Sequence, residues 1–471
     1  MEEKKLVKYF YSPKYKVFSL NPIFGNQQPT NTDLDKIQFW NQIGYSKDAL
    51  IEFITDYKTD KIKSNLANLN QLLIEVTDGC NLQCKYCGYG NLYENHDKRN
   101  SKKQQFSNVK LLIDYLKELW YSRYNTSYNK KISVGFYGGE PLLNTPLIKE
   151  TIAYLESFSN IPVHFIYNMT TNCMLLDRYM DFLVEKKFRL LLSLDGDELG
   201  SSYRVDKKGN NSFSRVFSNI KLLQKNYPEY FDKFVNFNAV LHDRNSVESI
   251  IKFVKQNFGK VPKISELNTN GLSKEGKKEI LRMFKDRFKS FDEASMPFKS
   301  LKDVQSENSV AISFSAFVRD FLGNYYDSYF DLFDSDEYHL IPTGTCRPFE
   351  KKIYLTVNGK ILPCERVGQE HVLGRIENGI LNLNYEHVET YYKKLYEKVI
   401  PNCKTCLLKR SCGQCIFLLK GEKDRKNKKD QFTCPNYIGE KTANNYFAYF
   451  LSYAEENPES YEELMKNIAI I

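Results

Sequence analysis

The stretch Leu72-Leu73-Ile74-Glu75-Val76-Thr77-Asp78-Gly79-Cys80-Asn81-Leu82-Gln83-Cys84-Lys85-Tyr86-Cys87 decides the reading of this chain. An apolar run of strand character leads directly into a Cys-x3-Cys-x2-Cys triplet. Three thiolates on one loop at a strand end can each hold one iron of a [4Fe–4S] cube and leave the fourth iron without a protein ligand. An open iron can bind a small molecule, which a site closed by four cysteines cannot do. The alternative is zinc, which ordinarily takes four ligands in two separated pairs and is poorly served by a lone triplet.

The rest of the composition is compatible with that chemistry. The chain has 471 residues, enough for two or three domains, and its 42% hydrophobic and 27% charged residues are ordinary for a globular protein. The net charge of +9 is diffuse, and the densest basic run, Lys423 to Lys429, contains Asp424, so no nucleic-acid-binding arm is expected. The N-terminus has no apolar signal-peptide core and no apolar run reaches membrane-spanning length, which gives the expectation of a cytoplasmic protein with no membrane partner. Eleven cysteines in such a compartment argue for metal rather than disulfides. Ten of them fall in two groups, 80–87 and 346–434, and Cys173 stands apart.

From 71 to about 270 apolar strand patterns alternate with helical ones. Strands are expected near 71–76, 132–137, 162–168, 189–194, 234–241 and 261–267, with helices near 107–122, 144–159, 177–187, 213–225 and 246–257. Six such repeats imply a parallel sheet with right-handed crossovers. Residues 1–70 read as a small α+β extension, with short strands around Leu6–Tyr11 and Val17–Leu20 and helical patterns near 33–43 and 47–57. Residues 271–340 read as a helical bridge, with Lys274–Phe291 the clearest stretch. Residues 341–440 are turn-rich and Cys-dense, and 441–471 return to a helical pattern.

Three further motifs close expected strands: Gly138-Gly139-Glu140-Pro141, Thr170-Thr171-Asn172, and Ser193-Leu194-Asp195-Gly196 followed by Arg204. Each alone is weak, and Gly-Gly-Glu-Pro by itself is a turn. In this order after the Cys loop, with aromatic Tyr86 just before Cys87, they resemble the radical S-adenosylmethionine (SAM) enzymes. The resemblance covers 71–270 and implies an α/β fold, a partial (β/α)6 radical SAM barrel. It implies that Cys80, Cys84 and Cys87 hold a [4Fe–4S] cluster that cleaves SAM to methionine and a 5'-deoxyadenosyl radical. It also implies that Gly138, Gly139, Glu140, Asn172, Ser193 and Arg204 contact SAM, Glu140 near its amino group, Ser193 at the ribose and Arg204 at the carboxylate. Bidentate guanidinium–carboxylate pairing suits that last role, although a surface arginine and a turn-capping Asp195 are the plainer readings. Cys173 stands where the family has glycine and reads as a small packed residue.

The C-terminal cysteines Cys346, Cys364, Cys403, Cys406, Cys412, Cys415 and Cys434 resemble the SPASM extension of radical SAM peptide and protein maturases. Here the last pair is spaced x2 where x3 is usual. The resemblance implies one auxiliary cluster on Cys403, Cys406, Cys412 and Cys434 and another on Cys346, Cys364 and Cys415, three [4Fe–4S] clusters in all. Taken alone, 403–415 reads equally well as a zinc knuckle. Glu365 follows Cys364 where sulfatase-maturing relatives carry Asp, so it is a candidate catalytic base, against the plainer reading of a carboxylate paired with Arg366. The resemblance implies a precursor-peptide substrate and a flavodoxin- or ferredoxin-type electron donor, and it leaves 1–70 as either a leader-binding element or a cap on the barrel edge. An anaerobic sulfatase maturase, a small-molecule radical SAM enzyme and a non-catalytic zinc module are the competing functions.

Overall fold

The structure is a computed structural model. It describes residues 55–126, 130–295, 346–406 and 412–419, together with short pieces at 10–11, 18–19, 52–53, 298, 339–340, 342, 434 and 437. The helical patterns expected near 33–43, most of 47–57 and 441–471 lie outside the described residues.

Two compact units divide the chain. One comprises 57–307 and 346–392, the other 1–56, 308–345 and 393–471. In the first, helix α1 (Thr59–Ala67) precedes strand β1 (Gln71–Thr77), and then strand and helix alternate. The order is α2 (Phe106–Trp120), β2 (Lys130–Gly138), α3 (Thr145–Glu156), β3 (Val163–Thr171), α4 (Leu176–Glu185), β4 (Arg189–Ser193), α5 (Phe213–Asn226), α6 (Pro228–Phe234), β5 (Val235–Leu241), α7 (Val247–Phe258) and β6 (Lys263–Glu266). Strands β1 to β6 pair in sequence order, all parallel.

The alternation of side chains along each strand sets the layers. Ile132, Val134 and Phe136 on β2, Leu190 and Leu192 on β4, and Phe237 and Ala239 on β5 are buried beneath the helices. The helices answer with apolar stripes at helical spacing, such as Val109, Leu112, Ile113 and Leu116 on α2. Helix α7 shows how local sequence fixes an element. Ser246 and Ser249 form a reciprocal capping box at its start, and Gly259 ends it in the left-handed conformation at φ 69°.

Residues 346–406 are more ordered than their turn-rich sequence indicates. Strand β7 (Lys352–Leu355) adds parallel to the free edge of β1, with Lys352 opposite Gln71 and Leu355 opposite Ile74. The antiparallel strands β8 (Lys360–Leu362), β9 (Gly374–Glu377) and β10 (Ile380–Asn382) follow outward, giving one ten-stranded sheet. Asn378 and Gly379, both at positive φ, make the tight β9–β10 turn that an Asn-Gly pair favours. A helix, α10 (Tyr385–Thr405), stands where turns were expected. The stretch 274–291 is two helices rather than one: α8 (Lys274–Met283) stops at extended Phe284, and α9 (Arg287–Asp292) restarts behind an Asp286 cap that accepts from Lys289 N–H at 2.7 Å.

In the second unit Phe10–Tyr11 pairs antiparallel with Phe18–Ser19, and Glu52–Phe53 pairs parallel with His339–Leu340. No helix among the described residues is long and apolar enough to cross a membrane.

Candidate active site at the ends of the parallel strands

The Cys loop leaves β1 at its C-terminal end, where sites on such sheets form. Thr77 starts the turn, its hydroxyl accepting from Gly79 N–H at 3.1 Å and donating to Lys102 C=O at 2.8 Å. The loop is then pinned from two sides. Gln83 N–H donates to Val205 C=O at 2.7 Å and Lys85 N–H to Tyr203 C=O at 3.0 Å. On the other side Gly139 N–H reaches Thr77 C=O, and Glu140 N–H reaches Gly79 C=O, each at 2.9 Å. The two glycines exist for this approach. A Cβ on Gly139 would lie 2.1 Å from Gly79 O, and one on Gly138, at φ +137°, 2.0 Å from Thr77 O.

Cys87 sits close enough to Cys80 and Cys84 to oppose their ionisation, as Cys80 does that of Cys84, on top of the larger effect of burial. Burial pushes Cys80 up to about 11 and Cys84 up to about 12, so the pocket needs a positive group to hold them as thiolates. Leu82 N–H and the Asn172 amide approach Cys80 Sγ at 3.4 and 3.5 Å, and the Arg204 charge favours the Cys84 thiolate. This donor set suits an iron–sulfur cube, in which each thiolate takes its own iron.

Glu140 is almost fully buried, and its carboxylate is spent on the protein rather than turned to the opening. Oε1 accepts from the Thr171 hydroxyl at 2.8 Å and Leu142 N–H at 3.2 Å, and Oε2 accepts from Asn172 N–H at 2.8 Å. Burial outweighs these bonds and raises its pKa to about 7. Glu140 thereby locks the end of β3 to the end of β2, and Asn172, bonded to Asn81 at 2.7 Å, carries the lock to the Cys loop. Cys173 is buried at φ 65°. A left-handed position explains why glycine suits it.

Asp195 is the hub on the other side. Its carboxylate takes both forks of Arg204, Nε at 2.9 Å and Nη2 at 2.8 Å, and also accepts from Val240 N–H at 2.9 Å and from the Tyr86 hydroxyl. Arg204 is therefore a buried arginine, not a surface one, and Asp195 does more than cap its turn. Tyr86 anchors the Cys loop to this hub. His242, with no exposed side-chain surface, stands 4.0 Å from Asp195, and its ring is 4.8 Å from Tyr203 and 5.8 Å from Tyr86. Burial lowers the His242 pKa. His242 and Tyr203 carry no motif of their own; their positions, after β5 and beside Arg204, are the sole signal that could have found them. Ser193 lies at the end of β4, nearly buried, opposite Asn238.

Glu365 is half-buried beside Cys364, whose Sγ is 3.2 Å from Oε2. Its main partner is Lys352 of β7 at 2.9 Å, with Arg366 at 3.7 Å. Burial opposes its charge, yet Lys352 prevails and holds the carboxyl below its usual range. Cys346 and Cys364 belong to the barrel unit. Cys403, Cys406, Cys412, Cys415 and Cys434 belong to the other, where burial raises the Cys412 thiol and the neighbouring Cys434 and Cys406 add to the rise.

Residues 74–256, which contain this loop and its partners, match the family model described as Radical SAM superfamily. They are a radical SAM domain. The chain is 28% identical over 195 residues to a cysteine-type anaerobic sulfatase-maturating enzyme of Clostridium novyi (strain NT), covering 41% of this chain and 49% of that protein. It is 27% identical over 367 residues to the enzyme of that name from Clostridium perfringens (strain ATCC 13124), covering 74% and 89%. It is 23% identical over 177 residues to the radical SAM cyclopropyl synthase TigE of Paramaledivibacter caminithermalis, covering 37% and 35%. The match thus spans about half the length of the C. novyi enzyme and about a third of TigE. The solved structure of histidine-tagged anSMEcpe with bound AdoMet shares the fold, with TM-score 0.50 at 21% identity over 85% of this chain and 96% of that one. The family implies SAM and a [4Fe–4S] cluster, and the residues around Cys80, Cys84 and Cys87 fit both.

Proposed function

We propose that this chain is a radical SAM peptide maturase. It takes a hydrogen from a residue of a ribosomally made precursor peptide and installs an oxidative cross-link, a thioether or a C–C or C–O bond, for which an auxiliary cluster, when bound, would accept the second electron and Glu365 the second proton. The observation that carries the reading is the double pinning of the Cys loop, by Gly139–Glu140 on one side and by the Tyr86–Asp195–Arg204 hub on the other. When bound, the cluster and SAM supply a one-electron cleavage that yields a carbon-centred radical. The protein's task is to position one C–H bond and exclude water.

In this reading Cys80, Cys84 and Cys87 hold the cluster. Gly138, Gly139, Glu140, Asn172, Ser193 and Arg204 shape the SAM site. Glu140 acts through Asn172, and Arg204 offers Nη1, because Nε and Nη2 are committed to Asp195. Cys403, Cys406, Cys412 and Cys434 hold one auxiliary cluster, and Cys346, Cys364 and Cys415 the other, for three in total. Glu365, kept ionised by Lys352, receives the substrate proton. Residues 1–70 bind a leader, and a flavodoxin- or ferredoxin-type protein of the cytoplasm donates the electron.

The second reading, formylglycine formation on a sulfatase, is favoured by the likeness to the Clostridium enzymes. Mass spectrometry after anaerobic reaction with SAM and reductant separates the two. A precursor peptide that loses two hydrogens without losing sulfur supports the cross-link. Conversion of Cys or Ser in a sulfatase peptide to formylglycine, with no change in a precursor peptide, replaces it.

A further inference from the structure

Arg99 lies between the cysteine triplet and α2, and nothing in the chemistry above uses it. Its side chain is only 13% exposed. Nε donates to Asp78 C=O at 2.9 Å, Nη2 stands 3.1 Å from Glu75 Oε1, and the guanidinium lies 4.0 Å over the Tyr89 ring. Asp78 enters the cysteine loop two residues before Cys80, and Tyr89 leaves it two residues after Cys87. One side chain therefore holds both ends of the loop. Its planar fork suits a carboxylate, a carbonyl and a ring face at once.

The same contacts lead on to the segment that carries Cys364. Glu75, buried on β1, accepts through Oε2 from Val357 N–H at 3.0 Å, in the turn between β7 and β8. Tyr89 donates its hydroxyl to Glu365 C=O at 3.4 Å, directly after Cys364. Bonds beside Arg99 follow the first route. Gln104 Nε2 donates to Thr356 C=O at 2.7 Å, and Asn358 Nδ2 donates to Asp97 Oδ2 at 3.0 Å. Arg99 stands where the two routes branch.

We propose that Arg99 is a positioning residue that couples occupancy of the Cys80–Cys87 site to the order of residues 357–366. A cluster on the three thiolates fixes the ends of the loop. Arg99 passes that order to Glu75 and so to Val357, and to Tyr89 and so to Glu365. The inference needs a cluster at Cys80, Cys84 and Cys87, and it holds whichever substrate is modified.

The test is anaerobic hydrogen exchange, read by mass spectrometry, on the full chain reconstituted with iron and sulfide. The wild type is compared with Cys84→Ala treated identically, so that metal bound elsewhere is common to both. The wild type is expected to exchange across 357–366 about tenfold more slowly than Cys84→Ala. Arg99→Gln is expected to exchange there as fast as Cys84→Ala while keeping the iron content of the wild type, because Gly139, Glu140 and the Asp195 hub still pin the loop. Peptides from α5 and α7 should exchange as in the wild type, which separates uncoupling from misfolding. Tyr89→Leu leaves the Glu75–Arg99 pair in place, so it should lose protection at 364–366 and keep it at Val357, a split that general loosening would not produce. Equal exchange of iron-loaded wild type and Cys84→Ala overturns the coupling and leaves the cluster reading standing. Slow exchange retained in Arg99→Gln overturns the role of Arg99. Zinc without sulfide in the wild type overturns both the coupling and the cluster.

Discussion

Tyr86 and Asp195 are joined by a hydrogen bond that ties the cysteine loop to the turn after β4, 109 residues away in sequence. Asp195 is fully buried and holds Arg204 through two parallel bonds, so the loop, the arginine and the turn share one carboxylate. Removing that charge leaves Arg204 buried without its counter-ion. Asp195→Asn is expected to destabilise the protein by about 3–5 kcal/mol, read as a shift in the denaturant midpoint. A change within experimental error would show that the hub is not structural.

The close approach of Gly139 to Gly79 makes a second expectation. A methyl group at 139 must displace backbone, not a flexible side chain. Gly139→Ala should therefore lower iron and sulfide content after reconstitution while far-ultraviolet circular dichroism stays native. Full cluster content in this variant would contradict the pinning.

Glu140 predicts a pH dependence. Its pKa is about 7 in the folded state and near 4.5 when unfolded. An acid whose pKa is raised by folding favours the folded state below its unfolded pKa, and that contribution is lost as pH rises from about 4.5 through 7. Denaturation of the wild type relative to Glu140→Gln should show a difference of order 3 kcal/mol between pH 4 and pH 8. A flat difference would mean that Glu140 is ionised throughout.

Cys173 offers a control. It is buried, at φ 65°, with its Sγ 3.6 Å from Thr171 C=O. Cys173→Gly should keep the iron and sulfide content of the wild type. A loss of one cluster's worth of iron would make it a ligand.

Much of this architecture was legible because it rests on local rules. Strand and helix periods placed all six parallel strands, and the order of Gly138-Gly139, Thr171-Asn172 and Ser193-Asp195 placed the loops around Cys80–Cys87. What stayed hidden depends on distant pairing. Nothing local says that Lys352 will sit beside Glu365, that Val357 N–H will cap the buried Glu75 carboxylate at 3.0 Å, or that β7 will join the edge of β1. His242 is a lone histidine until β5 brings it against Tyr86 and Tyr203. Helix α10 was obscured by Pro401 inside it, although Val388, Tyr392, Tyr396 and Val399 recur at helical spacing and are buried.

The most direct test of the central claim is anaerobic. The protein is reconstituted with iron and sulfide, both are counted, and 5'-deoxyadenosine is assayed after SAM and dithionite are added, for the wild type and Cys84→Ala. The account predicts about twelve irons per chain, as three [4Fe–4S] clusters require, and deoxyadenosine formed by the wild type but not by the variant. Zinc without sulfide, and no deoxyadenosine from the wild type, would contradict it.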